Sequence, residues 1–413
     1  MLTRVMKLNR IPDASFTLSK RPRAFPSGVW GQVTCGKGPR VWTRDGRVLM
    51  DWICGLGALA VGHDHPHVMA AVSKQLLKGT LFSLPSVLEE EVADRLCEVI
   101  PCADQVRVVK TGSEACSAAV RIARMATGRD VILTTETSYH GWHDGFVAVK
   151  PKHPGVPDQF EEVIFSVPYN ELGRLTEILR DNPVAAVMLE PVQGEPPKPG
   201  YLDGLVKAAH EYGALVIFDE MLCGGRMNLG GAQKYYGVMP DLATFGKALG
   251  GGLPFAFVCG RSDLMKHAWP VSGTFSGDAL ALAAAEAMLD IYRDEPVITS
   301  LWRNGEIVQQ ALLQVAERYD LTLVIHGHAP RFWLDFSPTV DKRLALSVFS
   351  QQAAKRNQLV HPSVIFASAA MTSQEATSGA SALADAMAVV CEGIKEGTLA
   401  ELLVGDPYED SVR

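Results

Sequence analysis

The chain has 413 residues, 21% of them charged and 47% hydrophobic, with a formal net charge of −7. That is the composition of an ordinary globular protein, long enough for two domains or for one large α/β unit with a smaller lobe. It argues against a nucleic-acid partner, because a phosphate backbone needs a basic face and the Lys and Arg residues here are scattered.

Met1 to Phe16 mixes charged and polar residues with single apolar ones, so it lacks the apolar core of a signal peptide. No stretch approaches the roughly 20 apolar residues of a membrane span. The expected compartment is the cytoplasm, with no membrane partner. Eight cysteines occur, never as Cys-x-x-Cys, which predicts reduced and mostly buried thiols and no metal site.

Residues 1–28 show no clear period and carry Pro12, Pro22 and Pro26, the pattern of an irregular arm. Arg23 and Trp30 are candidates to line a substrate pocket, with subunit packing as the alternative. From Gly31 to Trp52, short β-type runs broken at Gly36-Lys-Gly38 and Arg44-Asp45-Gly46 predict a small antiparallel sheet. His63, His65 and His67 alternate, but Pro66 interrupts them and no second ligand cluster is near, so a turn before a helix over Val68–Lys78 is expected.

From Asp104 to Pro254 short apolar runs alternate with amphipathic stretches, the pattern of a mostly parallel sheet with crossover helices. Strands are predicted at Gln105–Val109, Val131–Thr135, Val184–Leu189, Ala214–Phe218, Leu242–Phe245 and Phe255–Cys259. Helices are predicted at Glu114–Thr127 and Gly204–Tyr212. Gly112 and Ser113 precede the first of these helices, whose free N–H groups suit a phosphate as well as a plain cap. Tyr139, His140 and Trp142 follow the second strand, and any of these rings suits stacking on a flat heterocycle or core packing. Glu190, Gln193 and Glu195 follow the third.

Asp219 ends the fourth strand, and Lys247 lies in a glycine-flanked turn after the fifth. Taken singly, each is as readily a cap or a surface turn. Together, a lysine amine and an acid at the carboxyl ends of strands suit Schiff-base chemistry with pyridoxal phosphate (PLP), where lysine holds the aldehyde and aspartate keeps the ring nitrogen protonated. Beyond Gly260, a helix Ala279–Ile291, a long helix Pro296–Tyr319, strands at Leu321–Ile325 and Arg331–Phe336 and a final helix Gly379–Lys395 predict a separate α+β lobe, with Pro407–Arg413 as a loose tail.

The segments Thr111-Gly-Ser-Glu-Ala115, Tyr139-His-Gly141, Glu190-Pro-Val-Gln-Gly194, Asp219-Glu220, Gly246-Lys247 and Gly273-Thr-Phe-Ser-Gly277 carry a resemblance. In order and spacing they resemble the class III aminotransferases, and most of all the glutamate-1-semialdehyde aminomutase branch, which the run Gly230–Val238 also matches. The resemblance implies an α/β fold, PLP-dependent transferase fold type I, with a mostly parallel central sheet, helices on both faces and a smaller α+β lobe. The expected division is residues 1–50 as arm and small sheet, 51–292 as the large cofactor-binding domain, and 293–413 as the carboxyl-terminal small domain.

The resemblance also implies roles. Lys247 becomes the imine lysine and proton shuttle, and Asp219 the partner of the pyridine nitrogen. Gly112 and Ser113 take the phosphate, Tyr139 stacks on the ring with His140 beside it, and Met221 lies where the family usually has Val or Ile under the ring. Thr274 reaches the phosphate of the neighbouring subunit's cofactor, which implies a homodimer. Arg23, Trp30 and Glu195 are the substrate-side candidates.

The chain departs from the aminomutases near Leu56, where they have a tryptophan, and over His361–Ser368, where they have an acid; their asparagine near Glu195 is also missing. The expected activity is therefore an aminotransferase acting on a small amino donor and a carbonyl acceptor. An aminomutase or amino-acid racemase using the same lysine, or a non-catalytic PLP-binding protein, are the alternatives.

Overall fold

The computed structural model describes residues 10–147 and 153–409, so the first nine residues of the expected arm and the last four of the expected tail lie outside the described residues. The amino-terminal strands are β1 (Val33–Lys37), β2 (Arg40–Thr43) and β3 (Val48–Asp51). Then come β4 (Gln105–Val109), β5 (Val131–Thr135), β6 (Ile164–Val167), β7 (Val184–Leu189), β8 (Leu215–Asp219), β9 (Leu242–Gly246) and β10 (Ala256–Gly260). The carboxyl-terminal strands are β11 (Leu323–His328), β12 (Arg331–Phe336), β13 (Gln358–Leu359) and β14 (Ile365–Phe366).

The described residues form two compact units, one within 57–299 and the other from 10–56 with 300–409, where the sequence reading divides the chain at 50/51 and 292/293. The larger unit holds a seven-stranded sheet of order β4-β10-β9-β8-β7-β5-β6. Strands β5 to β9 run parallel, and β10 is antiparallel to both its neighbours.

The alternation of strand side chains explains why helices cover both faces. Ile132, Ala186, Met188 and Ile217 pack with Cys116, Ala119, Ile122 and Ala123 of the helix Gly112–Thr127. Their neighbours Leu133, Val187, Leu189 and Phe218 pack with Leu175, Leu202 and Leu205 from the helices Leu172–Asp181 and Tyr201–Glu211. A sheet buried on both faces leaves its strand ends as the place for polar chemistry.

The other unit contains the sheet β1-β2-β3-β13, in which β13 joins β3 in parallel, and the antiparallel sheet β11-β12-β14. Trp52 is fully buried there and donates through Nε1 to Gln358 Oε1 at 2.8 Å. The expected loose tail is tied down as far as Glu409. Tyr408 is buried, its N–H donates to Ser347 Oγ at 3.2 Å, and its carbonyl accepts from Arg343 Nε at 2.6 Å.

Several helices were not legible as such or start earlier than expected. The helix Val87–Val99 is opened by a capping box between Ser86 and Glu89, a signal present in the sequence. The helix predicted from Glu114 begins at Gly112 because Thr111 caps it, accepting from Glu114 N at 3.3 Å while Glu114 Oε2 accepts from Thr111 N at 2.8 Å. Ser113 is thereby a buried residue of the first helical turn. Among the described residues no helix is long and apolar enough to cross a membrane.

Candidate active site

Strands β8 and β9 are parallel neighbours, and their register sets Asp219 opposite Thr244. Asp219 is 2% exposed and its carboxylate takes four donors from the protein. Oδ2 accepts from His140 Nδ1 at 2.7 Å and from Cys116 Sγ at 3.4 Å. Oδ1 accepts from Met221 N at 3.1 Å and Thr244 Oγ1 at 3.2 Å.

Burial alone pushes the Asp219 carboxyl up, but the hydrogen bond and charge of His140, the Met221 N–H and the charge of Lys247 together hold it below its ordinary value. An ionised Asp219 can only accept, so His140 Nδ1 carries a proton toward it, while Nε2 faces the Thr134 hydroxyl at 3.1 Å. Cys116 and Thr244 were not singled out in the sequence. The signal was there: Cys116 lies four residues after Gly112 and shares its helix face, and Thr244 pairs with Asp219 across adjacent strands.

Lys247 follows β9 directly, is half-buried, and has φ of 46°, a left-handed conformation that disfavours any residue with a Cβ. Its charge is felt by Asp219, which ties the two strand ends into one electrostatic unit. Met221 fills the floor between the elements. A Cβ on Gly112 would stand 3.3 Å from Met221 Sδ, and one on Gly246 would stand 2.9 Å from the same sulfur. The two glycines therefore make the room that the thioether occupies.

Ser113 Oγ accepts from Trp142 N at 3.2 Å, joining the helix start to the loop after β5. Gly141, at φ of 107°, permits that approach, since a Cβ there would overlap the Ser113 side chain. Gly141→Ala is expected to cost about 3 kcal/mol through overpacking and backbone strain and to weaken cofactor retention; thermal melting and cofactor dialysis together check it.

Tyr139 is half exposed, and its N–H donates to the buried Glu190 carboxylate at 3.0 Å. Gln193 is buried and accepts from Thr137 Oγ1 at 2.5 Å while donating to Ser138 Oγ at 2.6 Å, bracing the same loop. Glu195 is exposed and accepts from Asn170 Nδ2 at 2.9 Å, a loop clamp that sequence reasoning did not foresee. Thr274 is exposed on the turn closed by Ser276 N and Gly273 O at 3.1 Å. Arg23 and Trp30 belong to the other unit, where Arg23 faces Glu409 at 3.8 Å and Trp30 Nε1 donates to Lys20 O at 2.8 Å.

Glu220, next to Asp219, is fully buried and accepts from Ala232 N at 2.7 Å and Gln233 N at 2.9 Å. Burial pushes its carboxyl up to about 7 in spite of those bonds. A carboxyl raised on folding binds its proton more tightly in the native state, so its contribution is fully present below the ordinary value of 4.5 and is lost as pH rises through about 7. Glu220→Gln, which cannot ionise, is expected to remove that component: the melting temperature of the wild type should fall relative to that of the variant as pH rises from 4.5 to about 7. A constant difference across that range would contradict the assignment.

The residues fit PLP. A helix start has N–H groups suited to a phosphate, a buried carboxylate held ionised suits a protonated ring nitrogen, a lysine lies within its field, and glycines keep Cβ atoms away from Met221. Comparison with known proteins agrees. The family described as Aminotransferase class-III matches residues 27–352. A protein of Methanothrix thermoacetophila named glutamate-1-semialdehyde 2,1-aminomutase is 37% identical over 345 residues, covering 76% of this chain and 80% of that one. A protein of the same name from Roseiflexus castenholzii is 38% identical over 352 residues, covering 77% and 81%. Among solved structures, the FumI protein of Sphingopyxis sp. MTA144 in its PLP internal aldimine form superposes with a TM-score of 0.87 at 25% identity, covering 94% of this chain and 95% of that one.

Proposed function

The chain belongs to the class-III aminotransferase family, and from that membership we propose that it moves an amino group from a small amino donor to a carbonyl acceptor. Its fold is that of the fold-type I PLP-dependent transferases, and PLP is its cofactor. When bound, PLP supplies a carbonyl carbon that condenses with amines and a protonated pyridine ring that draws electrons from the neighbouring carbon. The remaining work falls to the chain's own residues.

In this reading Lys247 Nζ would hold the cofactor and would also be the base that takes the proton from the substrate carbon bearing the amino group. Asp219, kept ionised in a dry site, holds a proton on the ring nitrogen, while His140 and Thr134 hold Asp219 in place. Gly112, Ser113 and the N–H groups of their helical turn take the phosphate. Tyr139 and Met221 would pack against the ring. Thr274, exposed on its turn, serves the site of a second copy, so the working form is a homodimer. Arg23, Trp30 and Glu195 are proposed on the substrate side, with Glu195 acting through its clamp on Asn170.

The observation that carries the reading is Asp219: a fully buried carboxylate held below its ordinary pKa by its donors and by Lys247, on the strand beside that lysine. A second reading, intramolecular amino transfer, is favoured by the name shared by the two relatives at 37% and 38% identity. Against it stand Leu56 and the run His361–Ser368, where the resemblance expects a tryptophan and an acid. Stoichiometry separates the two, because only transfer to a separate acceptor releases a keto product from the donor. Each of a panel of amino donors would be added to the holoenzyme while the visible spectrum and keto-acid release are followed. One donor giving stoichiometric keto product supports the aminotransferase. Isomerisation of glutamate-1-semialdehyde with no keto product from any donor would replace it with the aminomutase.

A further inference from the structure

The Asp219 carboxylate has about four lone-pair sites, and the protein itself directs four donors at them. A ring N–H that is to bond this carboxylate must take the place of one of those donors. They differ in how readily they yield. His140 Nδ1 at 2.7 Å makes the short, charge-assisted bond, and the Met221 N–H at 3.1 Å is fixed by the backbone. The Thr244 hydroxyl at 3.2 Å has as its other neighbour the Cys116 sulfur, a weak acceptor. The Cys116 thiol makes the longest contact, 3.4 Å, is the weakest kind of donor, and has a hydroxyl oxygen to turn to, Thr244 Oγ1 at 3.6 Å.

We propose that Cys116 is a positioning residue for Asp219: its S–H holds one lone-pair site of the carboxylate until the cofactor's ring nitrogen takes that site, and it then turns to Thr244 Oγ1. The thiol keeps its proton throughout, because burial and the neighbouring Asp219 push its pKa well up. The step breaks no covalent bond and exchanges one hydrogen bond for another. The thiol keeps a buried carboxylate satisfied during folding without competing strongly with the ligand, which a hydroxyl at the same place would do. The inference rests on the assignment of Asp219 to the ring nitrogen.

The test is PLP titration of the protein stripped of cofactor, comparing wild type with Cys116→Ser, Cys116→Ala and Asp219→Asn, together with the infrared S–H band of the wild type. Cys116→Ser, a stronger donor, is expected to weaken PLP binding about tenfold. Cys116→Ala is expected to bind at least as tightly as wild type while its stripped form melts lower. The S–H band is expected to shift on loading. Wild-type affinity in Cys116→Ser, weaker binding in Cys116→Ala, or an S–H band that does not move would each overturn the proposal. Asp219→Asn separates the two levels. If it leaves PLP affinity unchanged, the assignment of Asp219 fails and the proposal falls with it. If it weakens binding while Cys116→Ser does not, the role of Cys116 alone is wrong.

Discussion

Lys247→Ala is expected to lower kcat by about 10⁴-fold or more while leaving the protein folded, because one amine is both the attachment point and the proton carrier. The resting visible absorption of the holoenzyme should change with the substitution, since that absorption depends on the bond to Nζ. Stability should barely change, for a reason specific to this site. Lys247 has φ of 46°, and alanine in its place keeps a Cβ in the same left-handed conformation. Glycine does not, so Lys247→Gly should melt above Lys247→Ala by an amount equivalent to about 1 kcal/mol. Activity lost equally in both variants, with stability ordered glycine above alanine, would identify the backbone strain as part of the site's construction. Substantial turnover in either variant would remove Lys247 from the chemistry.

The sequence made the strand ends legible because buried parallel strands are short apolar runs with abrupt polar ends. Asp219 and Lys247 stand out for that reason, and both fall where expected, at the ends of β8 and β9. The supporting residues did not stand out. Cys116 and Thr244 look like small core residues, and only the register of β8 against β9 and the packing of the helix Gly112–Thr127 turn them toward the carboxylate. Strand β6 has four residues and lies at the sheet edge, too short for its period to be read. Tyr408 escaped because a polar, proline-flanked terminus resembles a loose tail, and one buried aromatic anchors it to the core of its unit. Glu195 shows the converse case: a carboxylate after a strand looks like a site residue, and only the structure shows that it also holds a loop through Asn170.

Asp219→Asn is expected to cost about 10³-fold in kcat and to loosen PLP. The carboxylate is the only group of the pair that can stay anionic beside His140 and Lys247, and an amide cannot hold a proton on the ring nitrogen in the same way. The substitution also upsets the donor set. An amide has only one oxygen: with its NH2 toward His140 Nδ1 two donors meet unless the ring changes tautomer, and with its oxygen there the NH2 meets the Met221 N–H instead. Loss of catalysis through a wrong tautomer is a large effect in other sites built on such a pair. The pH dependence gives a second check with a definite sign. The Asp219 carboxyl is held below its ordinary 3.8, so the stability it contributes is present above that value and lost only as pH falls through its lower folded pKa. In protein stripped of cofactor, the gap in melting temperature between wild type and Asp219→Asn should therefore be constant through neutral pH and shrink on strong acidification. A gap that grows as pH falls would mean that the carboxyl is protonated in the native site, and the ionised partner for the ring nitrogen would have to be sought elsewhere.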